Sequence, residues 1–140
     1  MRYKDEDMPA IFAPQLQPGE QIVNWAFGVK QPSILVIILL IATIGGALVV
    51  GLLTKNYLVA LTNMGRFVVL QMSGKTIKTA QAYQLGQTQG VKTSTGALFT
   101  HIKIDGPVPF VAKFHRLGMK QNREHAMAMA AALEGRQIAA

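Results

Sequence analysis

Few residues of this chain have the type and spacing that catalysis or metal binding requires. The chain has three histidines: His101, His115 and His125. No two of them show a metal-ligand spacing such as i, i+4 on one helix, and no carboxylate accompanies them as a further ligand. Asp105 is the only acidic residue between Glu20 and Glu124, so a paired-carboxylate hydrolase lacks its second carboxylate. We therefore predict no catalytic residue, no metal site and no bound cofactor.

Two further kinds of chemistry are excluded by simple inspection. The stretch Ser73-Gly74-Lys75-Thr76 contains the Gly-Lys-Thr of a phosphate-binding loop, but Val69 stands where the upstream glycine is required, and a hairpin turn is the better interpretation. The sequence has no cysteine, which excludes a disulfide framework, a thiolate nucleophile and a zinc-thiolate site. The residues thus favour a protein that is not an enzyme.

Basic side chains are concentrated in the C-terminal part of the chain. The chain before residue 33 contains three basic and four acidic residues. The chain after residue 53 contains eleven basic and three acidic residues, which gives this part a net charge of +8. Lysines and arginines near strand ends and turns are candidates for contacts with anionic lipid headgroups: Lys75, Lys78, Lys92, Lys103, Lys113 and Arg116. The alternatives are a solvated basic surface and, given the pI near 10.0, binding of nucleic acid.

Residues 33–53 form an unbroken apolar stretch, SILVIILLIATIGGALVVGLL, in which Ser33 and Thr43 are the only polar residues. A helix of this length reaches about 30 Å, the thickness of the bilayer hydrocarbon. We therefore predict one transmembrane helix, which is not a signal peptide because thirty-two residues precede it. The alternative is a re-entrant hairpin with its break at Gly45 and Gly46, because neither arm would then be long enough to cross.

The membrane prediction implies contacts on and beside the segment. Small residues allow close approach of neighbouring membrane helices at Ala42, Gly45, Gly46 and Gly51. The predicted interface residues are Trp25, Lys30 and Lys55. Because the basic residues follow the segment, the positive-inside rule places the C-terminal part in the cytoplasm.

Beyond the membrane segment, the hydrophobic pattern changes from the helical period to the period of two that is typical of strands. Clear strands are predicted at residues 57–61, 66–72 and 99–104, with shorter ones at 77–80, 84–87, 90–92 and 108–114. Residues 122–134 predict a helix with Asn122 as N-cap and Gly135 following its end. Upstream, the alternating side chains of residues 20–29 predict a strand or, alternatively, an amphipathic entry to the membrane helix. Residues 1–15 are predicted to form an arm with two prolines.

Two short motifs resemble the bacterial pleckstrin-homology-like (PH-like) families. Residues 56–71, NYLVALTNMGRFVVLQ, have the form of an apolar strand, Thr-Asn, a short turn, Arg and a second apolar strand. Leu16-Gln17-Pro18-Gly19-Glu20 is similar to the L-x-P-G-E lead-in of that hairpin. The resemblance implies an α+β fold, a small antiparallel sheet or barrel with one C-terminal helix, and a ring-forming homo-oligomer.

The sequence departs from these families in two ways. Met64-Gly65 lengthens the turn before Arg66. Relatives with membrane segments often have two of them, whereas one crossing would separate residues 20–29 from the sheet.

The predicted organisation is an arm and possible strand at 1–32, the transmembrane or re-entrant segment at 33–53, a PH-like domain at 54–135 and a tail at 136–140. We expect a single-pass protein of the bacterial cytoplasmic (inner) membrane that acts as a non-enzymatic scaffold and assembles with itself or binds a protein partner through its sheet or C-terminal helix. The alternatives are a module that binds anionic lipid headgroups and a nucleic-acid-binding membrane protein.

Overall fold

One antiparallel sheet organises the chain in the computed structural model, which describes residues 3–30, 38, 54–106 and 108–135. Its strands are β1 (Ile22–Lys30), β2 (Lys55–Thr62), β3 (Arg66–Ser73), β4 (Thr76–Gln84), β5 (Lys92–Thr95), β6 (Phe99–Ile104) and β7 (Phe110–His115). They lie in the order β4-β3-β2-β1-β7-β6-β5. A short helix α1 (Met8–Phe12), between 3-10 turns at Asp5–Asp7 and Ala13–Gln15, precedes the sheet, and helix α2 (Asn122–Gly135) follows it.

The strand β4 is longer than its sequence pattern indicated. Two short strands were predicted at 77–80 and 84–87, but one strand runs from Thr76 to Gln84 along β3. Residues 81–83, between the two predicted strands, pair with β3 without a shift, and the irregularity in register lies earlier, between Gln71 and Met72. The pairing with β3 therefore decides the length of β4.

The prediction of one transmembrane helix is wrong as a description of this fold. Among the described residues, no helix is long and apolar enough to cross a membrane. Moreover, β1 and β2 are antiparallel neighbours with Lys30 directly opposite Lys55. A single crossing between these two lysines would place the two strands on opposite sides of a bilayer and remove every hydrogen bond between them.

The single-pass localisation in the bacterial cytoplasmic membrane is corrected for the same reason. The stretch 33–53, together with the predicted helix contacts at Ala42, Gly45, Gly46 and Gly51, lies outside the described residues except for Ile38. What the structure does establish is that the chain leaves the sheet at the end of β1 and returns to it beside the same strand.

The inner face of strands β1 to β4 packs against β6, β7 and α2. Its fully buried side chains include Phe67, Ile102, Phe114, Met129 and Leu133. β1 passes so close to the ring of Phe114 that a Cβ atom on Gly28 would lie 2.5 Å from it. Glycine is therefore required at this point of β1.

The N-terminal arm covers the outer face of the same strands. Tyr3, Met8 and Phe12 are buried there against the sheet residues Leu58, Ala60, Val68, Leu70 and Met72. The indole N–H of Trp25 donates to Asp5 Oδ1 at 2.8 Å, and the hydroxyl of Tyr3 donates to the carbonyl of Gly74. Burial of each large apolar side chain contributes about 1.5–3 kcal/mol, so the arm belongs to the folded domain.

The side chain of Asn122 links β1 and β7 at the junction of these two strands, here named the seam. Within the described residues, the register joins the two strands only at Val29 opposite Lys113. The fully buried amide of Asn122 supplies the missing polar contacts, since its Oδ1 accepts from Phe27 N–H at 2.8 Å. Its Nδ2 donates to the carbonyls of Phe27 at 3.0 Å and His115 at 2.7 Å. Asn122, predicted as an N-cap, instead ties α2 to two strands.

Replacement of Asn122 tests this seam. Asn122→Ala leaves buried backbone groups of Phe27 and His115 without their partner, so we expect a loss of about 2–4 kcal/mol in the free energy of unfolding. Asn122→Asp keeps the size but removes both donated bonds and should also destabilise. The control is Asn63→Ala, which removes an exposed bond to Gln21 N–H and should cost about 1 kcal/mol or less. Urea unfolding followed by circular dichroism measures all three, and equal losses for Asn122→Ala and Asn63→Ala would contradict the role of Asn122.

Candidate functional site

The two motifs that carry the family resemblance meet at the end of the sheet where the β2–β3 hairpin turns. The carboxylate of Glu20, with no exposed side-chain surface, forms an ion pair with Arg66 at 2.5 Å between Oε1 and Nη1. The hydroxyl of Thr62 donates to Oε2 at 2.7 Å, and Gln17 N–H donates to Oε1 at 2.9 Å. The lead-in and the hairpin turn are thus two halves of one buried polar network.

The surroundings of Glu20 keep its carboxylate charged. Burial alone raises the pKa of this group, but the hydrogen bonds from Gln17 and Thr62 and the charge of Arg66 outweigh burial and lower the pKa below 4.5. All the contacts of Glu20 are internal to the domain. We therefore assign the network to stability and not to a binding function.

The network predicts that stability depends on acidic pH. Because the pKa of Glu20 is lower in the folded state, its contribution is fully present above about pH 4.5 and is lost as the pH falls through the folded-state pKa. Glu20→Gln should lower the free energy of unfolding at neutral pH by about 3 kcal/mol and flatten this part of the pH dependence. Urea titrations between about pH 3 and pH 7 measure the effect, with the exposed Glu6→Gln as a control. An unchanged pH slope in Glu20→Gln would show that Glu20 is not its source.

The opposite end of the sheet carries a concentration of lysines, here named the basic end. Lys30 lies directly opposite Lys55 across β1 and β2, and Lys92 lies directly opposite Lys103 across β5 and β6. All four side chains are exposed. Like charges that face each other across a strand pair are destabilising, so two such pairs at one end are not explained by folding. Such an arrangement favours an anionic partner.

A cavity of about 210 Å³ opens between the two halves of the basic end. It is lined by three of these lysines, Lys30, Lys55 and Lys103, together with the polar side chains of Tyr57 and Gln81. Asp105 also lines it and lies 3.6 Å from Lys103 Nζ, so part of the positive charge is offset. Burial raises the pKa of the Tyr57 phenol, which keeps its hydroxyl protonated as a neutral hydrogen-bond donor. The cavity can therefore surround a small anionic group with cations and with the neutral donors of Tyr57 and Gln81.

Of the predicted lipid contacts, only Lys103 lines this cavity. Lys75 is in the β3–β4 turn at the basic end, and Lys78 lies on β4, but neither lines the cavity. The Nζ atom of Lys113 lies 4.7 Å from the ring centre of Phe99. Arg116 is at the far end of the sheet, in a separate hollow with Arg123. The structure thus brings together Lys30, Lys55 and Lys103 and separates them from Arg116.

Trp25, predicted at the membrane interface, takes part in packing. Its ring stacks on His125 with 4.8 Å between centres, and its backbone N–H donates to His125 Nδ1 at 3.3 Å. Trp25 pairs with Ala60, five residues along β1 from Lys30, which is about 16 Å at strand spacing. The contacts of Trp25 therefore join β1 to α2 and to the arm.

Tyr57 and Gln81 were not predicted as site residues. Tyr57 stood in the sequence as one of the apolar residues of a strand, and Gln81 lay between the two short strands predicted near it. Only the twist of the sheet and the return of β6 and β7 bring them beside the lysines. Sequence spacing carries no signal for that proximity.

We compared the chain with known protein families, curated proteins and solved structures. No family model, no curated protein and no solved structure matches the chain. Among the described residues, no group of three or more His, Cys, Asp or Glu side chains is placed to hold a metal ion.

Proposed function

We propose that this protein is a non-enzymatic scaffold or interaction protein that attaches to a membrane surface from one side. One observation carries the proposal: Lys30 and Lys55, which flank the apolar stretch, are a directly opposed pair in neighbouring strands. Whatever the apolar stretch contacts, it leaves from and returns to a single point of the domain. A bilayer reached through this stretch therefore lies at the basic end.

The composition of the stretch supports a bilayer as its environment. Twenty-one residues with no charge, most of them Leu, Ile and Val, lose about 1.5–3 kcal/mol for each large side chain left in water. The lysines at the basic end complement the anionic headgroups beside an inserted segment, at about 1 kcal/mol for each charge near the surface. The composition of the stretch and the charge of the lysines therefore both favour contact with a bilayer at the basic end.

The proposed PH-like family membership is supported by the contacts between its two motifs. Glu20 of the lead-in binds Thr62 and Arg66 of the hairpin, so the spacing of these residues has a physical reason.

Single cysteines introduced at Gln21 and Gln89 test the attachment from one side. Both positions are exposed, and they lie before and after the apolar stretch in a chain that contains no cysteine. A membrane-impermeant thiol reagent applied to intact cells should label neither variant, and both should react after the membrane is opened. Labelling of both in intact cells would place the domain outside but preserve the single-sided attachment. Labelling of only one in intact cells would overturn the proposal.

A second candidate function, binding of anionic lipid headgroups, is favoured by the cavity at the basic end. The directly opposed Lys30 and Lys55 repel each other, and a phosphate group between them and Lys103 would replace that repulsion with attraction. The same chemistry fits free phosphate, so the two sources have to be separated by experiment.

Vesicle flotation distinguishes the headgroup from other contacts. The full chain is mixed with phosphatidylcholine vesicles with or without phosphatidylglycerol, and the extra binding to the anionic vesicles is measured. Lys55→Gln combined with Lys103→Gln should reduce that extra binding by about 10-fold or more, since it removes two of the lysines that line the cavity and with them two charge-assisted hydrogen bonds to a bound phosphate. The matched control is Lys75→Gln combined with Lys78→Gln, which removes the same charge outside the cavity.

Inorganic phosphate added to the same assay separates the two sources. Competition by millimolar phosphate that is lost in the Lys55 and Lys103 variant would assign the cavity to phosphate in general. Equal losses in both double variants would show that only the overall charge matters, and the cavity would then have no specific role.

A further inference from the structure

We infer that the free edge of β4 is the surface through which a second copy of this chain binds, by antiparallel pairing of β4 with β4. The inference deepens the proposed scaffold function, on which it rests for the orientation of the two copies. Among the described residues, β4 has β3 as its only strand neighbour and forms one edge of the sheet. Its outward backbone N–H and C=O groups are a template for another strand.

The regular part of this edge lacks the features that usually prevent strand addition. Residues 79–84, TAQAYQ, contain no charge and no proline and pair with β3 without interruption. Ala80 and Ala82 are exposed and too small to obstruct a neighbouring strand. The register shift and the charge of Lys78 lie before this part.

The other edge of the sheet is protected. β5 has four residues, and the carboxylate of Glu134 on α2 accepts from Thr93 N–H at 3.1 Å and from the Thr93 hydroxyl at 2.7 Å. A side chain thus occupies a backbone donor that another strand would need. The backbone donors of the β4 edge are therefore open to another strand, whereas Glu134 occupies one on the β5 edge.

A second copy fits this edge because no like charges meet there. Antiparallel self-pairing centred on Gln81 places Ala80 opposite Ala82 of the partner and Gln81 opposite its own counterpart. In this register, and in those centred on Ala80 or Ala82, Lys78 lies opposite an uncharged residue of the partner. This matters because the chain carries a net charge of +7, which opposes self-association through most other surfaces.

The twist of the sheet makes this pairing compatible with one bilayer. Each strand is rotated by about 20–25° from its neighbour, so β4 lies about 60–75° from β1. With β1 taken to run along the membrane normal, a two-fold axis perpendicular to the sheet at β4 lies within about 15–30° of that normal. The basic ends of both copies then face the same bilayer.

Complementary charges on β4 test the pairing in each of these three registers. The full chain in detergent should have a protein mass of twice 15.2 kDa by light scattering. The double variant Ala80→Glu with Ala82→Glu should be monomeric, as should Ala80→Lys with Ala82→Lys, because like charges then face each other across the two-fold axis. Mixing the two variants should restore a dimer that contains one copy of each.

The control places the same charges on the protected edge. Ser94→Glu and Ser94→Lys, on β5, should leave the oligomeric state unchanged. Circular dichroism and thermal unfolding verify that each variant is folded. A monomeric parent chain at about 100 μM, variants that remain dimeric, or a mixture that stays monomeric would each overturn the inference. Because this mass is measured in detergent, its outcome is independent of the thiol-labelling result.

Discussion

The pairing of β1 with β2 is the interaction on which the rest of this structure depends. The two strands pair from Ile22 opposite Thr62 to Lys30 opposite Lys55, although twenty-four residues separate the two lysines along the chain. Closing a loop of that length costs only about 1.6 kcal/mol more than closing a four-residue turn, since the cost rises with the logarithm of length. The hydrogen bonds of the ladder and the buried side chains on both faces outweigh that difference. A long apolar insertion is therefore tolerated within one hairpin, and both of its ends stay together.

The central strands have two cores because elements from both ends of the chain cover them. Helix α2 and strands β6 and β7 cover one face, and the N-terminal arm with Tyr3, Met8 and Phe12 covers the other. This explains why β2 and β3 read as continuous apolar runs, as strands buried on both faces do. Asn122 and Glu20 supply the polar contacts at the two places where these layers would otherwise leave backbone or charge unpaired.

The distribution of charge over the surface suits both proposed activities, attachment to a membrane and self-association. Lysines gather where the apolar stretch leaves and re-enters the sheet, whereas the regular part of the β4 edge is uncharged. A basic end beside an apolar insertion suits an anionic surface, and an uncharged edge suits another strand. The same domain can therefore attach through its basic end and assemble through the outer edge of β4.

The sequence by itself determined the local elements whose signals are strong. The apolar runs of β2, β3 and β6 and the alanine-rich helix α2 begin and end within a few residues of their predicted bounds, because hydrophobic period and Gly or Asn turns act locally. The tertiary structure alone decided the remainder. The length of β4 depends on β3, and Asn122 binds β1, which lies far from it in the chain. Lys103 lies beside Lys30 and Lys55 only because β7 pairs with β1 and brings β6 to the same end of the sheet. The transmembrane prediction failed for a related reason: hydrophobic length measures whether a segment can span a bilayer, but strand pairing across that segment decides on which side its ends lie.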